Sequence, residues 1–283
     1  MKALTSEWRP FVAELQTSPE QMIDAIERIG RLPAIPTHDW CDQAAAAVSH
    51  SLLPSDSAGV LAIGVGTLRS DSIERIDAVG VCSGDDQSGR ADEVRQALRG
   101  IGTLPAAVHM EAAESKVTLL APSDLRKSST WAASAAGRFL LSRGMTAVLI
   151  GAGLIADADP TRVLWVLGAV EDSTPVVGDM VFVTVILLAL LRRARLALAG
   201  VGRESSDWIS PREQEILNQL VLGKSVRQIA EETGRSAHTI HDHVKSLHRK
   251  LNATSRGELI ARALGHVTQG VRIRESSRKI KQG

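Results

Sequence analysis

Apolar residues recur along this chain in two rhythms, one of about 3.6 residues and one of two, and they switch often enough to outline a mixed α/β region followed by a purely helical one. Met22, Ile23, Ile26 and Ile29 stand at helical spacing behind Ser18-Pro19-Glu20-Gln21, a capping box with proline at the first helical position. A second helix is predicted over Asp39 to Leu52. Gly59–Gly66 and Arg75–Cys82 are rich in valine, isoleucine and glycine and predict two strands. The polar connection between them, containing Thr67-Leu68-Arg69-Ser70-Asp71-Ser72, makes a hairpin the simplest arrangement.

Further along, helices are predicted over Ala91–Arg99 and Ser128–Ser142, and a strand over Lys116–Leu120. Two more strands, Ala147–Ile155 and Arg162–Val170, straddle the turn signal Asp157-Ala158-Asp159-Pro160. Thr174-Pro175 then opens a long helix toward Leu198, whose closing arginines, Arg192, Arg193 and Arg195, sit near the negative end of the helix dipole. The order of helices, hairpin, helix, strand, helix, hairpin and long final helix resembles a GAF or PAS-like sensor domain. That resemblance implies an α+β N-terminal domain, an antiparallel sheet with helices, over residues 1–199.

A glycine and serine segment at residues 200–206 marks a linker, and after it the local signals are all helical. Ser210-Pro211-Arg212-Glu213 is a capping box; Ile216, Leu217 and Leu220 form one face, and Gly223 supplies a left-handed stop. Ser225 and Gln228 make a second box ahead of Val226, Ile229 and Ala230, with Gly234 as the tight turn. Ser236 caps a third helix whose inward face is Ile240, Val244, Leu247 and Leu251, its outward face carrying His238, His241, Asp242, Lys245 and Arg249. Ser255-Arg256-Gly257-Glu258 is a further box, opening a helix with Leu259, Ile260, Ala263 and Leu264 inward. Four short amphipathic helices therefore close an all-α domain at residues 207–267, joined to the first domain by its long helix. Residues 268–283 lose apolar periodicity and form a basic tail.

Charge sharpens this division. Residues 207–283 carry 14 Lys/Arg and 8 Asp/Glu, net +6, against 19 and 24, net −5, in the remainder. A basic module joined to an acidic one suggests nucleic-acid binding. The most apolar stretch, Met180 to Leu191, has twelve residues without a charge, and about 20 are needed to cross a bilayer, so no membrane association is expected. Cys41 and Cys82 are too few for a disulfide framework or a four-thiolate zinc site, and no charged-then-apolar signal segment opens the sequence; a cytoplasmic location follows as an expectation.

The runs Ser210-Pro211-Arg212-Glu213-Gln214-Glu215-Ile216-Leu217, Gln228-Ile229-Ala230-Glu231-Glu232-Thr233-Gly234 and Thr239-Ile240-His241-Asp242-His243-Val244-Lys245-Ser246-Leu247-His248-Arg249-Lys250-Leu251 are similar to the LuxR-type helix-turn-helix. The resemblance implies a bacterial transcription regulator, not an enzyme, that binds double-stranded DNA with the helix from Ser236 to Leu251 in the major groove. It puts His241, Asp242 and Lys245 toward bases. Lys224, Ser225, Thr239, His243, Arg249 and Lys250 are put toward the phosphate backbone. Lysine can donate to guanine, and aspartate can accept from cytosine. Asp242 departs from the family preference for an uncharged or basic residue; either it reads a cytosine or, the slightly favoured alternative, it pairs with His238, His241 or Lys245.

A homodimer is expected, because the helix from Thr174 to Leu198 is more apolar than one buried face requires, and because family members commonly pair two DNA-binding domains. The scheme leaves room for a small-molecule ligand or protein partner at the N-terminal domain, and for RNA polymerase. The alternative function is an enzyme-like or cofactor-binding N-terminal domain localised to DNA. Its chemistry is not evident. His38 and Cys41 offer only two metal ligands where zinc wants three or four, and a cap by Asp39 with a buried Cys41 accounts for them better. Asp179 is read as serving a helix dipole. Gly64-Val65-Gly66 lacks the third glycine of a dinucleotide fingerprint and the lysine of a phosphate loop. No cofactor and no metal are expected.

Overall fold

The structure, a computed structural model, describes residues 19–53, 59–69, 72–83, 88–101, 104–105, 118–120, 129–156, 159–171, 180–200 and 207–266. The N-terminal elements are α1 (Pro19–Gly30), α2 (Trp40–Leu52), β1 (Gly59–Arg69), β2 (Ser72–Ser83), α3 (Ser88–Ile101), β3 (Leu104–Pro105), β4 (Thr118–Leu120), α4 (Ser129–Ala133), α5 (Ala135–Ser142), β5 (Met145–Ala156), β6 (Asp159–Glu171) and α6 (Met180–Leu198). The six strands form one sheet in the order β3-β2-β1-β6-β5-β4, with each neighbouring pair antiparallel. This is the antiparallel sheet with helices that the sequence predicts.

Helices cover both faces. On one side α1, α2 and α6 bury Ile29, Trp40, Val48, Ile186 and Leu190 against Leu61, Ile63, Leu164 and Val166 of the sheet. On the other, α3, α4 and α5 bury Val94, Leu98, Trp131 and Leu140 against Val60, Ala62, Val163 and Trp165. Alternate residues of β1 and β6 thus serve opposite cores, which is why these strands read as nearly unbroken apolar runs instead of alternating patterns. Two glycines permit close approach. A Cβ at Gly80 would lie 2.1 Å from the backbone of Cys41 and Asp42, so α2 sits directly on β2; one at Gly64 would lie 2.3 Å from the Trp165 ring.

Several boundaries differ from the predicted ones. Strands β1 and β2 run on through most of the predicted polar connection, pairing Leu68 with Ile73 and Arg69 with Ser72. The single helix predicted over Ser128–Ser142 is two: Ser134 adopts extended backbone and its hydroxyl accepts from Gly137 N at 3.0 Å, ending one helix and capping the next. Asp159 belongs to β6 and pairs with Ala156, so half of the predicted turn is strand. Asp39 precedes α2 without a side-chain cap bond; its carboxylate instead accepts from Gln43 Nε2 at 2.8 Å. Ser18, Lys116, Asp157, Thr174, Pro175 and Asp179 lie outside the described residues, as do residues 201–206 and the basic tail.

Four more helices follow: α7 (Pro211–Val221), α8 (Val226–Thr233), α9 (Ala237–Lys250) and α10 (Arg256–Ala263). Their core is Ile216, Leu217, Leu220, Ile229, Ala230, Ile240, Leu247, Leu251 and Leu259, with Val226, Val244 and Ala263 packed against it. Leu264, predicted to point inward, is exposed. Ile35, from the α1–α2 connection, completes this core, while Trp208 is buried in the N-terminal one. The two domains therefore exchange residues across their boundary.

The outer residues of α6 do not stand free as the dimer argument supposed: Val185, Leu188 and Ala189 are half-buried within the chain, and the exposed large apolar residues among those described are Ile23, Ile26, Leu141, Leu222 and Leu264. Among the described residues no helix is long and apolar enough to cross a membrane.

Candidate nucleic-acid interface

Local sequence chemistry builds the helix-turn-helix. At Ser210 both bonds of the capping box form: its hydroxyl accepts from Glu213 N at 3.3 Å and the Glu213 carboxylate accepts from Ser210 N at 2.8 Å. Ser225 and Gln228 reciprocate in the same way at α8. Gly234 then takes a left-handed backbone, φ +63°, which lets α9 leave α8 at once. Ser255 caps α10 through its hydroxyl, but Glu258 turns to Thr254, accepting from its N–H and its hydroxyl at 2.7 Å each, so the predicted fourth box is only half made. Thr254's N–H, followed by Arg262 and the Thr254 hydroxyl, holds the Glu258 carboxyl well below the usual range, at about 2.

Turning 100° per residue, α9 lines up His238, His241, Asp242, Lys245 and Arg249 as one stripe opposite Ile240, Leu247 and Leu251. All five stripe residues are exposed; the three apolar ones are buried. His241, Asp242 and Lys245 therefore share the solvent face. Asp242 makes the ion pairs that the sequence favoured, with His238 Nε2 at 3.6 Å and Lys245 Nζ at 4.0 Å.

Of the six residues predicted to meet phosphates, five divide into three groups. Arg249 is exposed on the stripe, and Ser225 is exposed at the start of α8, where its hydroxyl is engaged as the cap. Thr239 and His243 are half-buried, the Thr239 hydroxyl bonded to Ser236 Oγ at 2.9 Å. Lys224 is half-buried and ion-paired with Glu232.

Lys250 departs from the expectation. Its ammonium donates to Glu213 Oε2 and to the Trp208 carbonyl, at 2.7 Å each, with only 10% of the side chain accessible. On a helical wheel it lies about 80° from Ile240, on the flank facing α7 and not on the stripe, so a phosphate contact is not what this geometry offers. His238, left out of the predicted contact set, is the most exposed member of the His238–Asp242 pair, at 86% against 56%. Its spacing of four residues before Asp242 was the available signal.

Among the described residues no group of three His, Cys, Asp or Glu could hold a metal. Cys41 is buried, with its thiol pushed up by burial and by the neighbouring Asp42, whereas His38 is half-exposed.

Comparison with known proteins converges on this domain. Residues 207–263 match the family described as bacterial regulatory proteins, luxR family. The transcriptional regulatory protein MctR of Rhizobium johnstonii is 43% identical over 63 residues, which are 22% of this chain and 29% of that protein. A Streptomyces halstedii protein described as "Probable HTH-type transcriptional regulator GfsR" is 38% identical over 58 residues, 20% of this chain and 24% of that one. The chain thus spans about a quarter of the length of the curated relatives it matches. The solved structure of Escherichia coli SdiA overlays 87% of this chain and 96% of its own at 15% identity, with a TM-score of 0.36, too loose an overlay to carry an argument.

Proposed function

From the premise that residues 207–263 are a LuxR-type helix-turn-helix domain, we propose that the chain is a sequence-specific, DNA-binding transcription regulator in the cytoplasm. Residues 1–199 serve as its sensing and dimerisation domain, 200–206 as the linker, 207–267 as the DNA-binding unit and 268–283 as a basic tail that adds phosphate affinity. The observation that carries this reading is the single exposed stripe of His238, His241, Asp242, Lys245 and Arg249 on the second helix of a tightly turned helix pair. A stripe of hydrogen-bonding groups, four donors and one acceptor, with no apolar member and on a helix whose opposite face is locked into a core, suits the edge-reading of bases in a major groove.

In this reading His241 and Lys245 donate to base edges, with His238 beside them. Asp242 orients its neighbours, and Arg249 with Ser225 meets the backbone. Two copies acting together read two half-sites, and the exposed Ile23 and Ile26 of α1 offer them an apolar surface on the N-terminal domain. The test is selection of binding duplexes from a random pool by the full chain, followed by titration of the selected and a scrambled duplex, with light scattering of free and bound protein. Equal affinity for both duplexes would remove the claim of sequence specificity, and a monomer on a single half-site would remove that of pairing.

A further inference from the structure

The segment from Leu32 to His38 should be the loose connection between two helices, yet hydrogen bonds tie it down on both sides. Pro33 and Pro36 bias Leu32 and Ile35 toward extended backbone, which keeps α1 from running into α2. The Leu32 carbonyl accepts from Arg193 Nε of α6 at 2.8 Å, and the Pro33 carbonyl from Trp40 Nε1 at 3.0 Å. The strip is therefore fastened to the N-terminal core from below. Its upper edge pairs with the residues that enter the DNA-binding domain: Ile209 N donates to the Pro36 carbonyl at 2.8 Å, and His38 N to the Ile209 carbonyl at 2.9 Å, a parallel bridge between Thr37 and Ile209.

Side chains cross in both directions. Ile35 is seated in the core of the helix-turn-helix, and Trp208, 6% exposed, in the core beneath the sheet. The Trp208 carbonyl in turn accepts from Lys250, in the last turn of the candidate recognition helix. A buried tryptophan of one domain is thus one covalent residue and one hydrogen bond away from α9. The contact leaves the outward stripe of α9 exposed, so it does not mask the reading face.

We infer that this clasp, residues 32–38 with Trp208 and Ile209, is the element through which the N-terminal domain regulates DNA binding, acting on the orientation of α9 and not by covering it. The inference rests on the DNA-binding reading above. A rearrangement of the core under the sheet shifts the Trp208 indole and moves the carbonyl that holds Lys250. Linkage makes the coupling reciprocal: DNA on α9 must alter the clasp by as much as the clasp alters DNA affinity.

Amide hydrogen exchange on the full chain tests this in two arms. Without DNA, Trp208→Ala should speed exchange at His38 and Ile209 and in the last turn of α9 together, by tenfold or more, leaving α8 unchanged, while Trp208→Phe restores most of the protection. With the selected duplex, wild type should slow exchange at His38 and Ile209 at least threefold, and Trp208→Ala should lose that response and at least tenfold in affinity. Should Trp208→Ala fail to fold, Ile35→Ala, which loosens the same clasp from the other side, is read by the same amides. Exchange at His38 and Ile209 that is unmoved by DNA, although the duplex binds and protects α9, would overturn the inference. A full chain that binds no duplex while the first arm succeeds would instead overturn the DNA-binding reading.

Discussion

The Glu213 carboxylate accepts a hydrogen bond from the Lys250 ammonium at 2.7 Å, the two side chains being only 6% and 10% accessible, and it simultaneously caps α7 through Ser210 N. One carboxylate thereby fixes the start of the first helix of the domain to the end of the recognition helix. Burial works to raise its pKa, and the bonds from Lys250, Ser246 and Ser210 overcome that and hold it at about 2, below its ordinary 4.5.

A pH dependence with a definite sign follows. Because the folded value is depressed, the stabilisation is fully present above the ordinary value of 4.5 and is lost as pH falls toward about 2. The span is worth on the order of 3 kcal/mol. Urea unfolding of wild type should weaken steeply between about pH 5 and pH 3, and that of Glu213→Gln distinctly less. Parallel losses in both proteins would show that the pair does not govern acid stability.

The same pair changes what a lysine substitution should do. Lys250→Ala leaves a buried carboxylate without its cation, which typically costs about 3–5 kcal/mol. The loss should appear as a lower melting temperature, and DNA affinity measured well below the melt should keep its salt dependence. A reduced salt slope at unchanged stability would put Lys250 on a phosphate after all.

Lys245→Ala, one residue into the exposed stripe, should behave in the opposite way. With 79% of its side chain accessible and only a 4.0 Å pairing to Asp242, Lys245 adds little to stability, since exposed pairs are worth about 1 kcal/mol or less. On the selected duplex its loss should cost about 1–3 kcal/mol and flatten preference at one position of each half-site. Unchanged affinity would mean that another face of α9 enters the groove.

Packing under the sheet makes a separate prediction. Gly80→Ala would set a methyl group 2.1 Å from the backbone of Cys41 and Asp42, and backbone on both sides cannot step aside as a flexible side chain would. The cost should reach about 3 kcal/mol, read by urea unfolding, with α2 exchanging faster. A loss within about 0.5 kcal/mol would show that α2 can lift from β2 freely.

How much of this was legible in the sequence depends on the range of the forces involved. The helix-turn-helix was readable because its determinants are local: Ser210, Ser225 and Ser236 cap within three residues of themselves, and Gly223 and Gly234 need only their own left-handed backbone. The strands were readable in kind but too short in extent, since the pairing of Arg69 with Ser72 depends on a partner strand and not on composition. The pairing of Lys250 could not be read, because a basic residue in a basic helix looks like a phosphate contact until Glu213, 37 residues earlier, is seen beside it. The clasp was invisible for the same reason: nothing near Ile35 or Trp208 in the chain announces that each belongs to the other's domain.

That exchange bears on where the chain can be cut. A break in the glycine and serine segment, after residue 199, follows the composition but removes Trp208, which is buried among the N-terminal core residues. Truncating a buried tryptophan commonly costs about 3–5 kcal/mol, and here the loss would fall on the face formed by α1, α2 and α6. Residues 1–199 should still fold, because the sheet and both its helical layers are complete, but residues 1–209 should be more stable by about 3 kcal/mol and bind less of a hydrophobic dye. Paired urea melts of the two fragments measure the difference. Coincident midpoints would mean that Trp208 fills no essential place in that core, and that the boundary is as clean as the sequence makes it look.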